Sequence, residues 1–406
     1  MTTIFAPVRV AYFLYRWRQR RKAGRSIRVR VASAVDYLKA LDRAGVKYAV
    51  LRWWDEVPED SAACAAFTGD VDVLVEDHAH FAAARVAARM PGKVAIEFRS
   101  VTGEMGSYAG WPYLPPAFAA EILERRVLYP RGFHVPAPEH RMAVVLFHLC
   151  YHKAEGSGIA PGCDLPKTKH HKPLKSDYSA KLRALAAAER ESLPDPLTLT
   201  AIHHDFTRRG FDMQLDLLVR WPQQSPWIKH LTAVARANYA ADAAKIPGIA
   251  VFFLRSDLGP ARRPGVVARL AESFDVIEQG ILDDAQRLRC RRHLRGGNWY
   301  EHRGRSLADP AYYIICHDHD ATADPKRATE RLLRVKRRLR EQIREDTAAA
   351  GAPCRHAIHS ADDPEEAQHM IDVLFGSDVP AARARLLDAI SRTSSKSSNM
   401  GNRSPR

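Results

Sequence analysis

The sequence predicts two α/β parts separated by a purely helical stretch, and three observations predict it. Strand and helix periodicities alternate from residue 31 to about residue 101. They alternate again from 248 to 376. Between these stretches, from 177 to 239, only helical spacing recurs, punctuated by Gly210 and the Phe211-Asp212 break. A chain of 406 residues has room for two or three domains with substantial cores. The expected divisions are a basic leader over 1–30, a first domain with a basic loop over 31–176, a helical connector over 177–245, a second domain over 246–390 and a polar, disordered tail over 391–406.

A formal charge of +15 and a pI near 9.7 call for anionic partners: nucleotides, phosphorylated substrates, nucleic acid or an acidic membrane. Cys64, Cys150, Cys163, Cys290, Cys316 and Cys354 are scattered, which argues against a zinc site or a disulfide framework and fits a reducing cytoplasm. The leader carries nine Arg and Lys and no acid, beside an apolar run too short to span a bilayer. Two readings stay open for it, a basic helix lying on an anionic membrane and a plain solvated helix. It shows no nucleic-acid-reading motif, so nucleic acid is the weaker partner.

In chain order, Ala32–Ala44 reads as a helix stopped at Gly45, and Lys47–Trp53 as a strand. Gly69–Val75 is a second strand that opens with Asp70 and Asp72 at alternate positions. Period-two spacing puts both on one face, as a divalent metal bridging nucleotide phosphates requires. His78–Met90 is a helix, and Lys93–Val101 a third strand bearing Glu97. This order resembles the nucleotidyltransferase fold, in which Asp-x-Asp on one strand and a third carboxylate on a neighbour hold magnesium. The resemblance implies metal ligation by Asp70, Asp72 and Glu97. The family's glycine turn before the dyad is replaced here by Arg52-Trp53-Trp54. Solvent-facing acids at a strand edge are the alternative reading.

Residues 139–155 form an apolar helix on which His148 and His152, four apart, share a face; no third metal ligand stands at convincing spacing. A loop rich in Pro, Lys and His runs to Ser176 and could lie over a phosphate-bearing ligand. Helices are expected at Tyr178–Glu191, Thr198–Arg209 and Met213–Arg220.

From Gly248 onward, strands at Ile249–Asp257, Asp275–Leu282, Pro310–Cys316 and Cys354–His359 alternate with helices at Pro264–Phe274, Asp283–Leu294 and Thr329–Glu345. That succession on a small antiparallel sheet is ferredoxin-like. The last strand ends at His359, and Asp362 or Asp363 with Pro364 reads as the start of a helix. A histidine before a helix N-terminus can take a phosphoryl group while the helix end favours the anion. Arg355, Ile358, His359, Asp362, Glu365, Ala367, Ile371 and Phe375 stand in ungapped register with the active-site segment of nucleoside diphosphate kinases, and about residues 248–376 resemble that family. The resemblance implies phospho-His359, phosphate binding by Arg255, Arg327, Arg344 and Arg355, and base stacking on Trp299. Ala361 stands where the family has serine, and Met370 where it has the glutamate that orients the ring.

The expected fold is thus α/β (α+β): a nucleotidyltransferase-like mixed sheet, a helical connector and a ferredoxin-like, nucleoside-diphosphate-kinase-like domain. The leading functional expectation is phosphoryl transfer from ATP or another nucleoside triphosphate through His359, with magnesium as cofactor. Magnesium-dependent nucleotidyl transfer at Asp70 and Asp72 and a catalytically degenerate nucleotide-binding regulator are the alternatives. The acceptor stays unspecified, and a homo-oligomer stays open.

Overall fold

The computed structural model describes residues 7–8, 11–12, 15, 28–103, 112–165, 178–213, 215–243, 246–294, 301–302, 305–306, 309–318, 325–351, 354 and 357–400. The chain divides into two compact units, residues 1–232 with 300–307 and residues 233–299 with 308–406. Both mix helices and strands.

The first unit opens with β1 (Arg28–Val31), α1 (Ala34–Arg43) and β2 (Tyr48–Val50). The Ser33 hydroxyl caps α1 by accepting from the Asp36 N–H at 3.2 Å. Ala34, Val35, Tyr37, Leu38 and Leu41 form its buried face at helical spacing. Next come the short α2 (Ser61–Ala66), β3 (Asp70–Val75), α3 (His80–Arg89) and β4 (Val94–Ser100). The sheet order is β1-β4-β3-β2, with β3 and β4 parallel and the other pairs antiparallel. Strand β3 enters the sheet with Asp72 directly opposite Glu97 of β4. Leu38, Leu41, Val73 and Ile96 are fully buried, and the Tyr37 hydroxyl donates to Ala83 O at 3.1 Å, tying α1 to α3.

The unit continues through α4 (Pro116–Arg125), the hairpin β5 (Val127–Tyr129) and β6 (Phe133–Val135), and α5 (Pro138–Phe147). The helix expected over 139–155 is α-helical only to Phe147; it then widens into a π-turn, His148–Lys153, and stops at Ala154 with φ 49° and ψ −128°. Helices α6 (Tyr178–Glu189), α7 (Leu199–Arg209) and α8 (Leu215–Arg220) follow, then α9 (Pro226–Ala243). Most of the expected connector therefore belongs to the first unit, because its aromatics complete that core. Phe206 packs against Phe147 at 5.6 Å between ring centroids, and the Trp221 indole donates to Tyr151 O at 3.0 Å. The division between units falls within α9.

The second unit comprises β7 (Ile249–Arg255), α10 (Arg263–Ala271), β8 (Asp275–Ile281) and α11 (Asp284–His293). A two-residue ribbon, β9 (Glu301–His302) and β10 (Arg305–Ser306), groups with the first unit. The second resumes with β11 (Pro310–His317), α12 (Pro325–Ala349), β12 (Ile358–Ser360), α13 (Pro364–Phe375) and α14 (Val379–Met400). Its sheet runs β12-β7-β11-β8, antiparallel throughout. Every residue of β7, an interior strand, is buried. Strand β12 is shorter than the expected 354–359, although the Arg255 N–H still donates to Ala357 O at 3.0 Å.

Helix α14 runs into the stretch 391–406 that composition marks as a disordered tail. The Ser391 hydroxyl donates to Leu387 O and that of Thr393 to Ile390 O, so these polar side chains are satisfied within the helix. Residues 401–406, most of the leader and 166–177 of the basic loop lie outside the described residues. Among the described residues no helix is long and apolar enough to cross a membrane.

Candidate functional site

Strand alternation in the first unit points Asp70 and Asp72 of β3 and Glu97 and Arg99 of β4 from equivalent sheet positions. Asp70 is partly exposed, whereas Asp72 and Glu97 are buried. Asp72 is gripped on both oxygens. Its Oδ1 accepts from Arg99 Nε at 3.0 Å and Nη2 at 2.8 Å, and its Oδ2 lies 2.6 Å from Arg52 Nη2. Arg99 Nη2 also donates to Glu97 Oε2 at 2.5 Å. Burial alone would raise the Asp72 carboxyl, but the charges of Arg52 and Arg99 override it and hold the group below its ordinary value. Burial works against both guanidiniums too, and Asp72 keeps each firmly protonated.

Tyr113 extends this network. Its hydroxyl accepts from Arg52 Nη1 and hydrogen-bonds His148 Nδ1 at 2.6 Å. Since the arginine can only donate, the tyrosine proton goes to His148. His152 Nε2 donates to Tyr113 O at 2.9 Å, and its ring stacks on Tyr113 at 3.9 Å. Burial first, then nearby arginine charge, pushes both histidines well below their ordinary values, so they stand neutral. The pair at i, i+4 therefore serves a hydrogen-bonded core.

Beside the network lies a cleft of about 230 Å³ lined by Arg52, Trp53, Asp70, Lys153, Tyr178 and Lys181, among others. The Trp53 and Tyr178 rings are 6.5 Å apart and 30° from parallel. Lys181 Nζ sits 4.9 Å from the Trp53 ring centroid and Lys153 Nζ 5.6 Å from that of Tyr178. The turn after β2, where sequence reasoning looked for glycine, is made by Trp53 itself in the left-handed region at φ 53°, ψ 39°.

Comparisons with protein-family models, curated proteins and solved structures find no match. The chemistry of the donors must therefore decide what the cleft can hold. Magnesium, implied for the dyad by the nucleotidyltransferase resemblance, does not fit the donors as they stand. Both Asp72 oxygens and Glu97 Oε2 already face guanidinium nitrogens, and a dication would share that space with two fixed positive charges. Among the described residues no group of three or more His, Cys, Asp or Glu is arranged to hold a metal ion.

In the second unit His359 lies on β12 opposite Phe253 of β7, and Arg255 ends β7 two residues further along the same face. Both are buried, and His359 Nε2 is sealed from solvent. Burial brings the Arg255 guanidinium down to about 10, against the opposing pull of Asp257 and Cys354. Arg340 of α12 donates to Ile358 O at 3.2 Å, and Lys336 to Ser360 O at 2.9 Å and Asp362 Oδ1 at 2.5 Å. Asp363 caps α13 by accepting from the Glu366 N–H at 2.7 Å, and the Glu366 carboxylate accepts from the Asp362 N–H at 2.6 Å. The helix end expected to favour a phosphate thus already carries carboxylates. Arg327 and Arg344 are exposed on α12. Trp299 and Arg355 lie outside the described residues.

Sequence reasoning passed over Arg99, Arg52, Tyr113, Lys336 and Arg340. Arg99 had a signal: it follows Glu97 at strand period two and so shares its face. Lys336 and Arg340 had one as well, the i, i+4 spacing that aligns them with Arg344. Nothing local marks Tyr113.

Proposed function

We propose that the chain is a nucleotide-binding protein whose ligand occupies the first-unit cleft, on a nucleotidyltransferase-like scaffold that has given up its metal. One observation carries this reading: Asp72 is saturated by Arg52 and Arg99 while the adjoining cleft keeps two near-parallel rings and two lysines. The rings suit a planar base, and the cations suit phosphate oxygens. The antiparallel pairing of β2 with β3, and the placing of Glu97 across from Asp72 on a parallel β4, support the nucleotidyltransferase-like scaffold. Binding of a fluorescent nucleotide to the full chain, displaced by unlabelled nucleotide, is the test. Trp53→Ala should weaken binding roughly tenfold, as the loss of one stacking ring implies. Equal binding by the wild type and Trp53→Ala would exclude the cleft.

A second reading, phosphoryl transfer through His359 from a nucleoside triphosphate, is supported by the pairing of Arg255 and His359 on one sheet face with Arg340 close by. The strand order of that unit, with its fourth strand beside its first and its third between first and second, supports the ferredoxin-like reading.

A further inference from the structure

We infer that the first-unit cleft takes a phosphate monoester carried on a planar ring, a nucleoside monophosphate in the simplest case, and takes it without a divalent metal. The inference rests on the cleft reading above and narrows it.

Arg52 supplies the first reason. Arg52 lines the cleft; its Nη1 donates to the Tyr113 hydroxyl and its Nη2 to Asp72, while its Nε–H is shut off from solvent and has no acceptor. A buried donor left unpaired is costly, and a small turn of the guanidinium towards an anion in the cleft would give it an acceptor.

Charge balance supplies the second. Arg52, Arg99, Lys153 and Lys181 in and beside the cleft face Glu56, Asp70, Asp72 and Glu97, four cations against four carboxylates. Lys181 is already paired with Glu56, and Arg99 is shared between Asp72 and Glu97. A monoester brings about −1.5 to −2. The Arg52 Nε–H and the Lys153 ammonium, which leans on Tyr178, can meet that charge. A triphosphate brings more negative charge into the same balanced set, so without a metal it would bind less tightly than the monoester.

The ring has its own place. Trp53 and Tyr178 lie 6.5 Å apart, and a planar group slid between or alongside them needs only small side-chain movement, since twice the ~3.5 Å contact distance of carbon atoms is close to that spacing. Both lysine ammoniums stand over these same rings, so ring and phosphate would be read side by side.

The experiment uses the full chain. Calorimetric titrations with AMP and ATP, each with EDTA or with magnesium, are paired with titration of Mn2+ alone followed by electron paramagnetic resonance. AMP should bind with the same affinity in EDTA and in magnesium, and at least about tenfold tighter than ATP in EDTA, a difference of about 1.4 kcal/mol. Mn2+ alone should keep the spectrum of the free ion. Arg52→Lys keeps the ion pair to Asp72 but lacks the Nε–H, and it should weaken AMP about ten- to a hundredfold without creating Mn2+ binding. Tight ATP binding that needs magnesium, or wild-type Mn2+ binding lost in Asp70→Asn, would overturn the inference and leave the nucleotide cleft standing. Failure of both nucleotides to bind under every condition would sink the cleft and the inference together.

Discussion

Asp72 in the first unit meets two guanidinium groups, whereas Lys336 and Arg340 in the second meet mainly backbone carbonyls. The first arrangement is mutual: each buried charge is tolerable only because its partner is charged too. The second is largely one-sided: Lys336 also pairs with the Asp362 carboxylate, but Arg340 holds a carbonyl of β12 that stays neutral whatever the helix beside it does, so Arg340 can be altered without stranding a buried charge. Mutual pairing makes the Asp72 network a fixed wall beside the cleft. Backbone pairing leaves these cations of the second unit bound to the residues on either side of the buried His359.

The contrast breaks most completely if the second unit turns out to carry the chemistry. Incubation with γ-labelled ATP would then give an acid-labile, base-stable label on the wild type and none on His359→Ala. Equal labelling of the two proteins removes His359 from the function.

Next in size is the cost of breaking the mutual pairing. Asp72→Ala leaves Arg52 and Arg99 buried side by side, and it should destabilise the protein by about 3–5 kcal/mol. Urea unfolding followed by tryptophan fluorescence reads this directly, since six of the seven tryptophans fall in the first unit. An unchanged midpoint would mean that the network is loose enough to admit water.

The smallest effect is on pH dependence. His148 and His152 have folded pKa values well below the ordinary histidine value of about 6.5. Above about pH 7 neither state is protonated and stability is flat. Below about 6.5 the unfolded chain takes up protons that the folded one refuses, so stability falls by up to about 1.4 kcal/mol per pH unit for each histidine. Asp72, with a depressed pKa, adds its loss only at lower pH, from about 4 downward. His148→Gln with His152→Gln should flatten the slope between about pH 5 and 6.5, and a slope that survives would move the linkage to other groups.

Much of the scaffold was legible because it follows from short-range periodicity. Helix α13 was read at its observed limits from Pro364 and the repeat Ala367, Met370, Ile371, Leu374. The strand at Asp70–Val75 and its two same-face carboxylates were read as well. What escaped was the state of those carboxylates. Asp72 owes its condition to Arg99 and to Arg52, which arrives from the turn after a different strand and is itself tied to Tyr113, a residue no periodicity flags. The π-turn at His148–Lys153 was equally hidden, because the apolar pattern through it is that of an ordinary helix. Helix α4, Pro116–Arg125, went unread although Pro116 marks its start.

Trp53 has a consequence for how the protein can change over time. Its left-handed backbone carries a cost of order 1–2 kcal/mol that glycine would escape. Yet glycine there would strip the ring from beside Tyr178 and from beneath the Lys181 ammonium. Selection for a more stable turn and selection for a lined cleft therefore pull one codon in opposite directions. Drift towards glycine at that position would record a lineage in which the turn's stability outweighed the lining of the cleft.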